Sequence, residues 1–197
     1  VDNAIELSVI VARNSKGEMT TFPTVEMEFD PKANLVEFLF APASISYEID
    51  EKAKRIAMEC IFKLQGIGVF AVEMFLNSKG EIFVNEIAPR PHNSGHHTIE
   101  ACYTSQYEQL NRILLDMPLG DTSLISPAAM LNLLGAENVN GPYEITGLET
   151  ILAIPGVYIH LYNKATTKPK RKMGHITVLG NTLDEVKKKA ATIKQVQ

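Results

Sequence analysis

Residues 68–94, with the sequence GVFAVEMFLNSKGEIFVNEIAPRPHNS, constrain the fold and the chemistry of this chain more than any other segment. Two apolar runs rich in β-branched and aromatic residues flank a polar turn, which is the pattern of a β-hairpin. Each run carries one glutamate among hydrophobic neighbours, Glu73 in the first and Glu86 in the second. Because carboxylates are rarely buried without a cation or a hydrogen-bond donor, two of them on one hairpin indicate a metal site.

The register of this hairpin decides whether the two glutamates can bind one ion. A turn centred on residues 78–79 with an even number of loop residues pairs Glu73 with Val84 and Glu86 with Ala71. Since strand side chains alternate between faces, both glutamates then share a face as diagonal neighbours, about 7–8 Å apart at Cα. Two carboxylates completed by water and phosphate oxygens commonly hold Mg²⁺. The spacing is also consistent with a solvated sheet face, and an odd loop length would separate the glutamates.

A rigid polar segment, PRPHNS at residues 89–94, follows the second strand directly. Its two prolines prevent a helix, so we expect a loop. Arg90 has a planar guanidinium that suits phosphate or bicarbonate, and Asn93 and Ser94 can donate hydrogen bonds to the same anion. A surface loop without a ligand is the alternative.

A basic run near the end of the chain, residues 164–172, has the sequence KATTKPKRK with five Lys or Arg and no acid. Clustered cations between two strands can hold a phosphate at several points, although a solvated loop explains the same composition. The chain has neither a Walker A sequence nor GxGxxG. Any nucleotide must therefore be bound by another architecture.

The charge distribution favours a small anionic ligand. Residues 1–159 carry 10 Lys and Arg against 21 Asp and Glu, whereas residues 160–197 carry 9 against 2. The basic cluster is compact and lacks interleaved aromatic residues, which argues against nucleic acid. No apolar run approaches the roughly 18 residues of a membrane span. The two cysteines, Cys60 and Cys102, lack metal-type spacing and are expected to be reduced core thiols of a cytoplasmic protein.

The hydrophobic pattern predicts an α+β fold. Period-two alternation and short apolar runs predict strands at residues 5–13, 19–25, 35–40, 128–134, 157–162 and 175–179, besides the hairpin. Amphipathic periodicity predicts helices at 51–64 and 105–116, a short helix near 147–153, and a final helix from 182. In the second helix we expect Tyr107, Leu110 and Leu114 to face inward. A Pro- and Gly-bearing connection before residue 127 divides the chain into residues 1–120 and 121–197.

The order of these motifs resembles one enzyme family. NEIAPRPHNSGHHTIEACYTSQYEQ, residues 85–109, closely resembles the signature of the N5-carboxyaminoimidazole ribonucleotide synthetase (PurK) family of the ATP-grasp superfamily. FAVEMF, APA, HLY and RKMGH agree with this family in order and approximate spacing, so the resemblance covers essentially the whole chain. It implies the second half of an ATP-grasp domain, an antiparallel sheet with packed helices, followed by a small mixed α/β C-terminal domain.

The resemblance also implies a reaction and a set of site residues. In this family ATP phosphorylates bicarbonate to carboxyphosphate, and the amine of 5-aminoimidazole ribonucleotide then takes up the carboxyl group. Carried over by position, Glu73 and Glu86 resemble the Mg²⁺ ligands, and Asn85 and Glu86 belong to the ATP-binding motif. Arg90 resembles the catalytic arginine that holds bicarbonate and stabilises the transferring phosphoryl group. The implied substrate contacts are His92, Asn93 and Ser94 in the same pocket, and Lys164, Arg171 and Lys172 around the ribonucleotide 5′-phosphate.

The resemblance further implies a homodimer, and the composition predicts a cytoplasmic protein that binds neither nucleic acid nor a membrane. The family often has Asn-x-His after Glu26, whereas this chain reads Met27-Glu28-Phe29 and lacks that nucleotide contact. The chain opens at Val1 in a strand-like pattern, so we expect it to be part of a longer protein. On its own we expect it neither to bind ATP tightly nor to turn over.

Two other functions fit parts of this pattern. One is another ATP-grasp ligase, such as a formyl-phosphate-type transformylase, which would not require the basic loop followed by RKMGH. The other is a non-catalytic dimerisation or regulatory module that keeps the fold. Intact Glu73, Glu86 and Arg90 argue against such a degenerate module.

Overall fold

The structure is a computed structural model that describes residues 4–30 and 35–196. Its strands form one antiparallel sheet in the order β6-β5-β1-β3-β4-β7-β9-β8, with β2 paired to β1 alone. The strands are β1 Ile5–Arg13, β2 Met19–Thr21, β3 Val25–Asp30, β4 Leu35–Ala41, β5 Gly68–Leu76, β6 Ile82–Ala88, β7 Ala128–Leu134, β8 Val157–Leu161 and β9 Lys172–Leu179. Short polar turns such as Asn14 to Gly17 join neighbouring strands, as the alternation of the sequence predicts.

The helices are α1 Tyr47–Leu64, α2 Thr98–Ala101, α3 Gln106–Leu114, α4 Leu148–Leu152 and α5 Leu183–Val196. Helix α1 begins four residues before the predicted start, because the Ser46 side chain accepts a hydrogen bond from the Ile49 backbone and caps the helix. It ends at Gln65, which adopts the left-handed conformation (φ 53°). No helix in the described residues is long and apolar enough to cross a membrane.

Helices cover both faces of the sheet. Directly paired residues of neighbouring strands share a face, so Leu7, Glu26, Phe40 and Ala129 mark one face across four strands. On this face α1 packs against β1 and β5, and α5 packs against β7 and β9. The opposite face carries α2, α3 and the 89–97 loop over a second pair of apolar clusters. The candidate site residues lie on this second face.

The predicted α+β class, an antiparallel sheet with packed helices, is confirmed. The sheet is continuous between β4 and β7, so it runs through both predicted segments. The division at residue 120 stays a prediction. Both cysteines are free thiols, and burial raises the pKa of Cys102 to about 12.

The predicted inner face of α3 is confirmed for Leu110, which packs against an apolar cluster, but is wrong for Leu114 and for Tyr107, which is 38% exposed. Leu114 is 72% exposed, whereas Gln106 and Gln109 are completely buried beside Ile113. The helix is rotated from the apolar expectation because both glutamine side chains find backbone hydrogen-bond partners in the interior. A buried amide with both of its groups bonded costs little, so polarity alone was a poor guide to burial here.

Candidate functional site

The predicted register of the β5–β6 hairpin is wrong. Leu76 pairs with Ile82, which leaves an odd loop of five residues, 77–81. The Asn77 side chain accepts hydrogen bonds from the backbone N–H groups of Lys79 and Glu81 and thereby closes this loop. In a regular ladder an odd loop would send the two glutamates to opposite faces.

A β-bulge brings the two glutamates together nevertheless. Met74 pairs with Val84, but Glu73 pairs with Glu86, so Asn85 is the extra residue in β6. The bulge reverses the alternation after Asn85 and places Glu86 directly opposite Glu73. The carboxylates therefore share a face as a direct pair and not as diagonal neighbours. Asn85, whose assignment to the ATP-binding motif is a prediction, is exposed at the bulge.

The electrostatics of this pair favour a bound cation. The Glu73 side chain is only 13% exposed, and burial followed by the negative charge of Glu86 raises the pKa of Glu73 to about 7. Like charges directly opposite each other destabilise a sheet. Oxygen atoms of both glutamates and a ring nitrogen of His92 lie within 4.8 Å of one another. A divalent cation would relieve the repulsion, so the residues present fit the metal that their sequence pattern implies.

The 89–97 loop lies beside the carboxylate pair. The Nδ1 atom of His92 is 3.7 Å from Oε1 of Glu73, and Arg90 is exposed. Burial, followed by the charge of Arg90, lowers the pKa of His92, so the ring is neutral at physiological pH. Asn93 and Ser94 make their side-chain bonds within the protein, Asn93 with Asn132 and Ser94 with Ser8. Their predicted role as substrate donors remains a prediction.

A second bulge directs Lys172 toward the same place. In β9, Gly174 pairs with Leu133 but Lys172 pairs with Leu134, so Met173 is the extra residue. Lys172 consequently shares a face with His175 and not with the α5 core. Burial lowers the pKa of Lys172, while the negative charge of Glu73 opposes this shift. The half-buried ammonium thus lies close enough to the carboxylate pair to interact with it.

The other two basic residues predicted to bind substrate make local contacts. The Lys164 ammonium donates to the backbone carbonyl of Lys172 and lies 5.7 Å from the centre of the Tyr162 ring. The Arg171 guanidinium donates to the backbone carbonyl of Thr166. Lys172 is therefore the member of the basic run that the structure brings to the carboxylates, and the phosphate-binding roles of Lys164 and Arg171 stay predictions.

A stack of three imidazole rings borders the site and was not anticipated from the sequence. The His175 ring lies between His96 and His160, with ring centres 4.5 Å apart on each side. Tyr162 bonds to His175, and Glu100 bonds to His160. Burial lowers the pKa of His96 to about 4 and that of His175 to about 3, so these two rings are uncharged. The sequence places His160 and His175 in two strands predicted at 157–162 and 175–179, but their direct pairing across β8 and β9 is seen only in the structure.

Comparisons with known proteins identify the family. Residues 1–107 match the ATP-grasp domain, and residues 128–189 match the phosphoribosylaminoimidazole carboxylase C-terminal domain. N5-carboxyaminoimidazole ribonucleotide synthase of Bacillus subtilis is 42% identical over 181 residues, which cover 92% of this chain and 46% of that protein.

Solved structures agree with these matches. N5-carboxyaminoimidazole ribonucleotide synthetase from Thermotoga maritima is 48% identical with a TM-score of 0.91, over 98% of this chain and 51% of that one. The Aspergillus clavatus synthase in complex with ADP and 5-aminoimidazole ribonucleotide is 38% identical with a TM-score of 0.90, over 98% of this chain and 51% of that one. The chain thus spans about half the length of these relatives, and the match over residues 1–107 shows that it belongs to the ATP-grasp family.

Proposed function

We propose that the protein carrying this chain couples ATP hydrolysis to the carboxylation of 5-aminoimidazole ribonucleotide by bicarbonate, in de novo purine biosynthesis. The observation that carries the proposal is the direct Glu73–Glu86 pair with Lys172 and His92 beside it. This arrangement combines a cation-binding carboxylate pair with groups that bind anions, which a phosphoryl transfer to bicarbonate requires. The relative crystallised with ADP and 5-aminoimidazole ribonucleotide supports the choice of substrates.

Glu73 and Glu86 would hold Mg²⁺, with Asn85 and Glu86 in contact with ATP. The support is that two facing carboxylates, one of them largely buried, are unfavourable without a cation between them. When bound, Mg²⁺ neutralises charge on the ATP phosphates and so assists departure of ADP.

Arg90 and Lys172 would bind the anions of the reaction. A bicarbonate oxygen attacks the γ-phosphorus of ATP, and ADP leaves, which yields carboxyphosphate. The ribonucleotide amine then attacks the carboxyl carbon, phosphate leaves, and the amine loses a proton. Both steps accumulate negative charge on oxygen atoms, and fixed cations in a partly desolvated pocket stabilise that charge. His92, Asn93 and Ser94 would line this pocket.

The ribonucleotide phosphate would bind at the basic run through Lys164, Arg171 and Lys172. The run leads directly into β9, whose first residue, Lys172, lies on the site face, so a ribonucleotide could reach both places at once. We further propose that the protein is a cytoplasmic homodimer. These assignments rest on family resemblance together with the positive charge of residues 160–197.

The experiment compares Glu86→Gln with the matched control Glu81→Gln in the complete protein. Both acids lie in the same hairpin, but Glu81 bonds to Asn77 at the loop and not to the site. We expect Glu86→Gln to lower Mg²⁺-dependent ADP release by about 100-fold or more, with bicarbonate and 5-aminoimidazole ribonucleotide present. The control should keep wild-type rates. An unchanged rate of ADP release in Glu86→Gln would refute the metal assignment. A wild-type rate of ADP release that does not change when the ribonucleotide is added would refute the proposed substrate.

A further inference from the structure

The side chain of Gln106 clamps the backbone of His92. Its Oε1 atom accepts a hydrogen bond of 2.9 Å from the His92 N–H, and its Nε2 atom donates one of 2.8 Å to the His92 carbonyl. Gln106 is completely buried at the start of α3. The backbone N–H and carbonyl of His92 are thereby both bonded to the first residue of α3.

Gly95, three residues after His92, packs directly against the side-chain amide of Gln106. A Cβ atom on Gly95 would lie 2.4 Å from Oε1 of Gln106, which is far inside van der Waals contact. The loop backbone and the amide therefore fit together only because residue 95 has no side chain. Such a close fit restricts the position of the His92 ring beside Glu73.

The backbone of Ser94 determines which ring nitrogen of His92 carries the proton. The Ser94 N–H points at Nδ1 of His92 at 3.3 Å, and an N–H group can only donate. In the neutral ring Nδ1 must therefore be the acceptor, and the proton resides on Nε2. The Ser94 hydroxyl, 3.0 Å from the same Nδ1, can donate to it as well, because the Ser8 hydroxyl at 2.8 Å can complete its bonding.

We propose that Gln106 and Ser94 are positioning residues that hold Nδ1 of His92 as a hydrogen-bond acceptor and leave its Nε2–H available to an anionic carbonate or phosphate group. Within the described residues both hydrogen bonds of the His92 ring use Nδ1, and none uses Nε2. The inference rests on the proposed function for the identity of the anion, but the tautomer and the clamp stand on geometry alone.

One consequence separates this role from metal binding. His92 lies within reach of both glutamates, so its Nδ1 could be taken for a third metal ligand. The lone pair of Nδ1 already accepts from Ser94, and a metal there would break that bond. His92 therefore acts as a hydrogen-bond donor to substrate, and the cation is left to the two carboxylates.

The first test reads the tautomer directly in the complete protein labelled with ¹⁵N-histidine. Long-range ¹H–¹⁵N correlation spectra at pH 8 distinguish a protonated from an unprotonated ring nitrogen, and a His92→Gln variant assigns the signals. We expect protonated Nε2 and unprotonated Nδ1 in wild-type protein. A proton on Nδ1 would overturn the proposal. This readout needs no turnover, so it is independent of whether the protein carboxylates the proposed ribonucleotide.

The second test uses a matched pair of clamps on one helix. Gln109, also completely buried, holds both backbone groups of Gly120 in the same way, at 2.8 and 3.3 Å. Gln106→Leu and Gln109→Leu should lower the unfolding midpoint comparably, since each removes one clamp. Only Gln106→Leu should lower kcat, by about tenfold, with the KM for ATP unchanged.

Two outcomes of the kinetic comparison would contradict the proposal. One is an equal loss of kcat in both variants, which would indicate general loosening of the core. The other is an unchanged kcat in a folded Gln106→Leu variant. Should Gln106→Leu fail to fold, the tautomer of wild-type His92 remains the deciding measurement.

Discussion

Replacing Glu73 by glutamine should stabilise the metal-free protein at pH 8 and leave its stability unchanged at pH 4. The reason is that the native state holds Glu73 in a buried position opposite Glu86, where ionisation is unfavourable. Glutamine has nearly the same shape and carries no charge, so it removes this penalty without creating a cavity. A residue proposed to bind the metal thus reduces the stability of the apo fold.

The magnitude follows from the pKa of Glu73. In the unfolded chain this group ionises near pH 4.5, whereas burial and Glu86 raise the pKa to about 7 in the folded state. The folded state therefore binds more protons between these values, and the wild type loses stability as pH rises from 4.5 to 7. At about 1.4 kcal/mol per pH unit the full penalty is about 3–4 kcal/mol. Because Glu86 is exposed, solvent screens its repulsion of Glu73, and we expect a stability difference of about 2 kcal/mol.

Urea unfolding of wild-type and Glu73→Gln protein from pH 4 to pH 8.5, in chelator, measures this difference directly. The free energies of unfolding should coincide at pH 4, diverge through neutrality, and differ by about 2 kcal/mol above pH 8. Adding Mg²⁺ at pH 8 should stabilise the wild type more than the variant, because only the wild type offers both carboxylates. A difference that does not depend on pH, or a less stable variant at pH 8, would refute the reasoning.

Three further substitutions test neighbouring parts of the structure. Lys172→Ala should raise the KM for the ribonucleotide more than that for ATP, whereas Lys168→Ala, on the exposed part of the same run, should change neither; an unaltered ribonucleotide KM would remove Lys172 from the substrate site. Gly174→Ala should lower the free energy of unfolding by about 2 kcal/mol, because the added Cβ would overlap the backbone oxygen of His160 in β8. A variant as stable as the wild type in urea would contradict this close packing. Ile61→Ala should cost about 2–4 kcal/mol in the same assay without altering the KM for either substrate, since Ile61 is buried on the face opposite the site; a changed KM would show that the two faces are coupled.

Hydrophobic periodicity predicted the α+β class, the β-hairpin and helix α1, because these depend on local pattern and on one buried face. The same reasoning found the chemistry-bearing segments, since buried carboxylates and clustered cations stand out against their surroundings. It failed at the hairpin register. Asn77 closes the five-residue loop through side-chain bonds, and Gly80 adopts the positive φ (75°) that the loop requires; a count of apolar positions registers neither.

The two β-bulges are the features that the sequence pattern could not supply. Each inserts one residue, Asn85 or Met173, and reverses which face the next functional side chain occupies. With the observed five-residue loop, alternation without a bulge would send Glu86 to the opposite face, and alternation without the second bulge would do the same to Lys172. The hydrogen bonds of the partner strand decide where a bulge forms, so its position is a tertiary property.

The contacts of α3 and the imidazole stack were missed for a related reason. The apolar pattern predicts Tyr107, Leu110 and Leu114 on the inner face and gives no sign that the polar Gln106 and Gln109 are completely buried. Their burial depends on hydrogen bonds to the backbone of His92 and Gly120, which lie in loops outside α3. Buried amides become visible only once the loops that they bind are in place.

The central claim is that Glu73 and Glu86 together hold the cation that accompanies ATP. A crystal structure of the complete protein with Mg²⁺ and ADP tests it most directly. We expect the metal to lie about 2.1 Å from one oxygen of each carboxylate, with His92 Nδ1 still bonded to Ser94. A metal held by only one of the two glutamates, by His92, or elsewhere in the protein would contradict the account.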